Sequence, residues 1–204
     1  MAVLNESAIR TRARRRASAR GESVEDELRR VAGLRSSRYD IFLSQTIRDA
    51  EIVLGVYDLL TTLGYAVFCD WIITPHLERS QVTPANAEFI RSQMRISDTL
   101  LFVDSENADQ SLWMCWEIGW FDGAKGHVAV LPVLPDDGNY YNGREFLGLY
   151  PYARLGKDGQ LEIVRPPATN RRGVTLFEAP NSRSFDQWRN GDCGFMRPKL
   201  IEHW

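Results

Sequence analysis

The sequence is poor in the residues that build metal sites and disulfide frameworks: three cysteines and three histidines in 204 residues. Cys69, Cys115 and Cys193 cannot form a full disulfide set. Neither they nor His76, His127 and His203 cluster at the spacing of a zinc site. No apolar run reaches the roughly 18 residues of a membrane-spanning helix. The basic start is not followed by the apolar core, roughly 7–15 residues long, of a secretory signal. Its Arg, Ala and Ser suit an organelle transit peptide, but Glu6 and the acids between Glu22 and Glu27 do not. The expectation is a cytoplasmic protein without a metal. Hydrophobic residues are 44% and charged residues 25% of the chain, which excludes global disorder and fibrous repeats.

Charge is also scarce in total, at a formal −2, which argues against a protein that coats nucleic acid. The total hides a division. Residues 1–38 hold ten Arg and five acids, a local +5, so the remainder carries about −7. The basic arm has helical composition, no strand pattern and no aromatic platform for bases. It reads as one or two solvated helices added to a complete domain, free to meet the acidic body of a neighbour.

From Arg38 onward the pattern is regular. Strand-like runs at 39–44, 65–69, 99–103 and 128–134 alternate with helical spacing at 49–63, 83–97 and 109–121. Gly64 supplies a helix stop, and Thr83-Pro84 a helix start. Strand and helix alternating with short connections predict a parallel sheet covered on both faces. Residues 141–149 suit a short helix, 152–164 a hairpin turning at Gly156-Lys-Asp-Gly159, and 185–188 a short helix packed on the body. The expected division is a basic arm at 1–37, a domain at 38–150 and an extension at 151–204.

In such sheets ligands bind outside the carboxyl ends of the strands. The segments there are Ser44-Gln-Thr, Asp70-Trp71, Asp104-Ser105 and Pro135-Asp136. Ser44-Gln-Thr-Ile-Arg-Asp49 has no glycine, which excludes a Rossmann turn and a P-loop. It has no acidic pair, which excludes a receiver domain, and the chain has no GxSxG elbow. What remains is Ser111-Leu-Trp-Met-Cys-Trp-Glu-Ile-Gly-Trp-Phe-Asp122. Helical spacing puts Glu117 on one face with Trp113, Trp120 and Phe121. A carboxylate in an aromatic stripe is costly unless paired or used. It either reaches water or an arginine at the stripe's edge, or it works in a site.

These segments, taken in order, resemble the Toll/interleukin-1 receptor (TIR) domain family in its bacterial branch. Tyr39-Asp-Ile-Phe-Leu-Ser44 is similar to the family's first strand, and Gly64-Tyr-Ala-Val-Phe-Cys-Asp70 to its second. Ser97-Asp-Thr-Leu-Leu-Phe-Val-Asp-Ser105 is like the third, and Ser111-Leu-Trp-Met-Cys-Trp-Glu117 resembles the W-x-x-x-E segment of the αC helix. Residues 70–82 stand where the family has its BB loop, without the Arg-Asp-x-x-Pro-Gly run of receptor types.

The resemblance implies a flavodoxin-like α/β fold with a central parallel sheet of about five strands. It implies an enzyme that cleaves NAD+ between nicotinamide and ribose, with Glu117 as the essential carboxylate. Phe42, Ser44, Gln45, Asp70, Trp71, Trp113 and Trp116 are then the expected substrate-binding residues. NAD+ enters as substrate, with no cofactor. The product is ADP-ribose or a cyclic isomer, serving as a signal in anti-phage defence of the Thoeris kind and read by a separate effector. Assembly as a homo-oligomer through TIR–TIR contacts, including loop 70–82, follows from the same resemblance. No nucleic acid and no membrane are expected as partners. Two alternatives stand beside it: a non-catalytic TIR adaptor, and a nucleoside deoxyribosyltransferase-like N-glycosidase on a related sheet.

Overall fold

The computed structural model describes residues 4–46, 48–69, 83–106, 108, 111–136, 141, 145–165 and 182–191. In chain order the elements are β1 (Leu4–Asn5), α1 (Glu6–Ser18), α2 (Val24–Ala32), β2 (Tyr39–Ser44), α3 (Ala50–Thr62), β3 (Val67–Cys69), α4 (Pro84–Arg95) and β4 (Ser97–Asp104). There follow α5 (Leu112–Ala124), β5 (Val128–Leu134), a 3-10 turn (Glu145–Leu149), β6 (Tyr152–Leu155), β7 (Leu161–Val164), β8 (Ser182–Ser184) and α6 (Phe185–Arg189).

The sheet runs β3-β2-β4-β5-β6-β7-β8. The first five strands pair in parallel, which is the expected flavodoxin-like core. The expected hairpin is present as β6 and β7, antiparallel from Tyr152↔Val164 to Leu155↔Leu161. Because β6 is the fifth parallel strand, residue 150 marks no structural break: the segment expected as an extension completes the sheet.

Alternation along each strand sorts the core into two layers. Ile41, Leu43, Leu101, Val103, Ala129 and Leu131 face one side, against α1, α2, α3 and α6. Phe42, Leu100, Phe102, Val128 and Val130 face the other, against α4 and α5. The central strands are apolar on both faces because both faces are covered. Phe185 and Trp188 are fully buried, so the short C-terminal helix does pack on the body as expected.

The arm departs from its expectation in two ways. It contains a strand: Leu4 and Asn5 pair in parallel with Val133 and Leu134 at the end of β5. Its helices are packed rather than solvated. Ile9, Ala13 and Ala17 recur at helical spacing and are buried against α3. The backbone approach is close: a Cβ on Gly55 of α3 would lie 2.2 Å from the carbonyl oxygen of Ile9, so only glycine fits there. The arginines of α1 meet the acids of α3 and α2. Arg14 pairs with Glu51 at 2.6 Å, Arg12 and Arg16 with Asp58 at 2.5 and 2.8 Å, and Arg16 with Glu27 at 2.8 Å. The excess positive charge of the arm is thus met by acids of its own chain. Composition alone could not reveal this, because the apolar stripe on α1 is made of one Ile and two Ala.

Candidate active site

Every parallel strand of the core ends on the same edge, so Ser44, Asp104 and the residues after them come together there. Ser44 closes β2 and shares the strand face of Phe42, the face that α5 covers. Ser111 caps α5, its Oγ accepting from the Met114 amide at 3.4 Å. That cap sets the helix phase: Met114, Glu117, Ile118 and Phe121 form the buried stripe. Glu117 therefore points at the sheet and not along the outer edge, and it is only 3% exposed.

The Ser44 Oγ donates to Glu117 Oε2 at 2.6 Å, with both groups buried. A hydroxyl donating to a carboxylate at that length is in the charge-assisted range. It offsets part of the cost of taking the carboxylate out of water. Gln45 and Thr46 continue from Ser44 as buried polar residues.

Four further residues gather at the same edge: Asp49, Asp104, Ser105 and Tyr141. Asp104 ends β4 buried and accepts from the Tyr141 hydroxyl at 2.8 Å. Asp49, also buried, accepts from the Ser105 hydroxyl at 2.7 Å. The edge thus gathers three buried carboxylates, Asp49, Asp104 and Glu117, each held by a hydroxyl. The sequence signal for Asp104 and Ser105 was their place just after a strand. Asp49 carried no such signal, since an Asp before a helix reads as an ordinary cap.

The other expected site residues fall as follows. Phe42 is wholly buried, stacked on Phe68 at 5.2 Å, one layer beneath the edge. Trp113 and Trp116 are half-buried and in contact, with ring centroids 4.8 Å apart. Trp113 precedes Glu117 by one turn, whereas Trp116 turns toward α4, where the Arg91 guanidinium lies 5.8 Å over its ring. Asp70, Trp71 and the whole of loop 70–82 lie outside the described residues. No cluster of His, Cys, Asp and Glu suited to a metal occurs among the described residues, and no helix among them is long and apolar enough to cross a membrane. A groove of about 690 Å³ lined by Arg12, Arg15, Arg16 and Arg20 runs along α1. It lies outside the Ser44–Glu117 edge, and Asp58 and Glu27 already engage most of its cations.

No family model matches the chain. Over 119 residues it is 49% identical to "Probable 3' cyclic ADP-D-ribose synthase ThsB'" of Bacillus cereus (strain MSX-D12), a match covering 58% of this chain and 62% of that protein. Over 83 residues it is 23% identical to "Putative cyclic ADP-D-ribose synthase TIR2" of Cytobacillus dafuensis, covering 40% of this chain and 22% of that one. The chain thus spans less than two thirds of the length of these curated relatives. The resemblance to bacterial TIR proteins drawn from the motifs is borne out by these similarities and by the fold.

Proposed function

We propose that this chain cleaves NAD+ at the bond between nicotinamide and ribose, with Glu117 as the essential carboxylate. The observation that carries this reading is the buried Ser44–Glu117 hydrogen bond, 2.6 Å long, at the carboxyl edge of a TIR-like sheet. A carboxylate fixed by a strand-end hydroxyl inside an aromatic helix is arranged to meet a cation.

The substrate is such a cation. Its C1′–N1 bond breaks with both electrons going to the pyridinium nitrogen, so nicotinamide leaves neutral and needs no acid. Positive charge then develops at C1′ in an oxocarbenium-like transition state. Glu117 stabilises that charge and holds the ribose hydroxyls, most effectively because the site is already shaped and sparing in water. Asp104 and Asp49 add to the negative field at the same edge. Capture of C1′ by water, with loss of a proton, gives ADP-ribose. Capture by the substrate's own adenosine moiety, again with loss of a proton, gives cyclic ADP-ribose. The names of both relatives favour the cyclic product. The product is then a signal for a separate effector in anti-phage defence, and the active form is a homo-oligomer with loop 70–82 at its contacts.

The test is chromatographic separation of products after incubation with NAD+, concentrated and with crowding agents, wild type beside Glu117→Ala. Nicotinamide and a cyclic ADP-ribose from the wild type alone support the reading. Equal, background release from both proteins removes it in favour of an adaptor. Base exchange on deoxynucleosides without NAD+ turnover would favour the deoxyribosyltransferase alternative.

A further inference from the structure

The arm does more than cover the sheet. Asn5 pairs with Leu134 at the carboxyl end of β5, and the Ser7 amide donates to Asp136 Oδ1 at 3.2 Å just beyond it. The first turn of α1 is thereby anchored at the edge where the candidate site lies. One turn on, Arg10 reaches Glu51 of α3 and Asp49 just before it. Its Nη1 lies 3.2 Å from Glu51 Oε2, and its Nη2 lies 3.7 Å from Asp49 Oδ1. Glu6 braces the same guanidinium at 2.6 Å.

Asp49 is placed unusually. It holds the N-cap position of α3, yet its side chain makes no cap hydrogen bond to that helix. The carboxylate turns away instead, taking the Ser105 hydroxyl on Oδ2 and facing Arg10 with Oδ1. Asp49 is 5% and Ser105 7% exposed, so their hydrogen bond is buried, while the Arg10 guanidinium that faces it is 30% exposed. Arg10, Asp49 and Ser105 therefore join α1, the segment after β2 and the segment after β4. Those two segments carry Ser44, which holds Glu117, and Asp104.

We infer that Arg10 is a positioning residue for the catalytic edge, acting through Asp49 on the Ser105 segment and on the turn that follows Ser44. This rests on the NAD+-cleaving reading for its kinetic consequence, and on the geometry alone for its structural one. The arm then braces the site from outside, through Asp49. Small displacements of reacting groups are costly in rate, about 100-fold for roughly 1 Å. Loss of a brace that acts through an intermediary should cost less, on the order of 10-fold.

The test compares Arg10→Met with Arg14→Met in the full chain. Arg14 sits on the same helix and pairs with the same Glu51 at 2.6 Å, but its ion pair lies on the surface and reaches no acid of the edge. Arg10→Met should lower kcat for NAD+ on the order of 10-fold, with KM changed by less than about 3-fold. Arg10→Lys should restore part of the rate, and Arg14→Met should match wild type. Amide hydrogen exchange supplies a readout independent of activity. Peptides carrying Ser44, Gln45, Thr46 and Ser105 should exchange faster in Arg10→Met and not in Arg14→Met. Equal kcat and equal exchange in the two variants overturn the inference. So does an equal fall in both with a matching fall in thermal stability, which would mean that Arg10 only helps dock the helix. If the wild type turns over no more NAD+ than Glu117→Ala, the function reading fails, and the exchange comparison still decides the positioning role.

Discussion

Ser44 and Glu117 stand 73 positions apart in the chain and 2.6 Å apart in space, each buried and each the other's partner. β2 delivers the hydroxyl to the carboxyl edge, and the Ser111 cap sets the helix phase that aims the carboxylate at it.

Ser44→Ala should remove that donor with little change of side-chain shape, since only one oxygen is lost. A hydrogen bond to a charged group contributes about 1.5–3 kcal/mol. If the bond works mainly in the transition state, kcat should fall about 10- to 100-fold. Steady-state release of nicotinamide measures this. Glu117→Gln should fall further than Ser44→Ala, because it removes the charge itself. A Ser44→Ala rate equal to wild type would show the bond to be only structural.

Gly55→Ala should loosen the arm. The added methyl meets the Ile9 carbonyl oxygen at 2.2 Å, and backbone cannot move aside as a flexible side chain can. Overpacking of this kind costs about 1–3 kcal/mol. For a chain of this length that means a Tm lower by roughly 3–10 °C in a thermal melt. An unchanged Tm would show that α1 contributes little to the folded state.

Acid should weaken the packing of α1 on α2 within the arm, where Glu27 meets Arg16, Arg20 and Arg30. Glu27 is fully buried, and burial by itself pushes its carboxyl up. Hydrogen bonds from Arg30 and Arg16, with their charges, outweigh that and hold it at about 2, below its ordinary 4.5. A depressed carboxyl stabilises the fold above its unfolded value, and the stabilisation fades as pH falls from about 5 toward 2. The contribution is on the order of 2–3 kcal/mol, allowing for the partial exposure of both arginines. Urea unfolding at pH 7 and at pH 3 should show this difference in the wild type and a flatter profile in Glu27→Gln.

Trp188→Ala should show that the C-terminal helix belongs to the core. Trp188 is 1% exposed, packed 5.7 Å from the Phe185 ring and 5.3 Å from His127. Truncation of a buried Trp costs about 3–5 kcal/mol. The urea midpoint should fall with the m-value unchanged. A midpoint within error of wild type would mean that the helix is only laid on the surface.

Much of the fold was legible in the sequence because its strands are continuous apolar runs and its helices show clear spacing. β2, β4 and β5, the αC-like segment around Glu117 and the β6–β7 hairpin all carry that signal. The arm did not, because α1 buries a stripe of alanines that composition counts as neutral, and its arginines look the same whether they meet water or Glu51 and Asp58. The pairing of β6 with β5 was not legible for a similar reason: a four-residue strand does not announce which neighbour it will pair with.

The sequence by itself determined the alternating sheet, its carboxyl edge and Glu117 on a helix at that edge, since local periodicity and motif order are properties of neighbouring residues. Only the tertiary structure decided that Glu117 faces inward onto Ser44, that Asp49 forgoes its own helix for Ser105, and that the basic arm closes on the acids of its own chain. Those are contacts across tens of residues, and no local pattern encodes them. They follow from parallel strands bringing distant chain segments to one edge, and from Gly55 letting α1 come close enough to reach it.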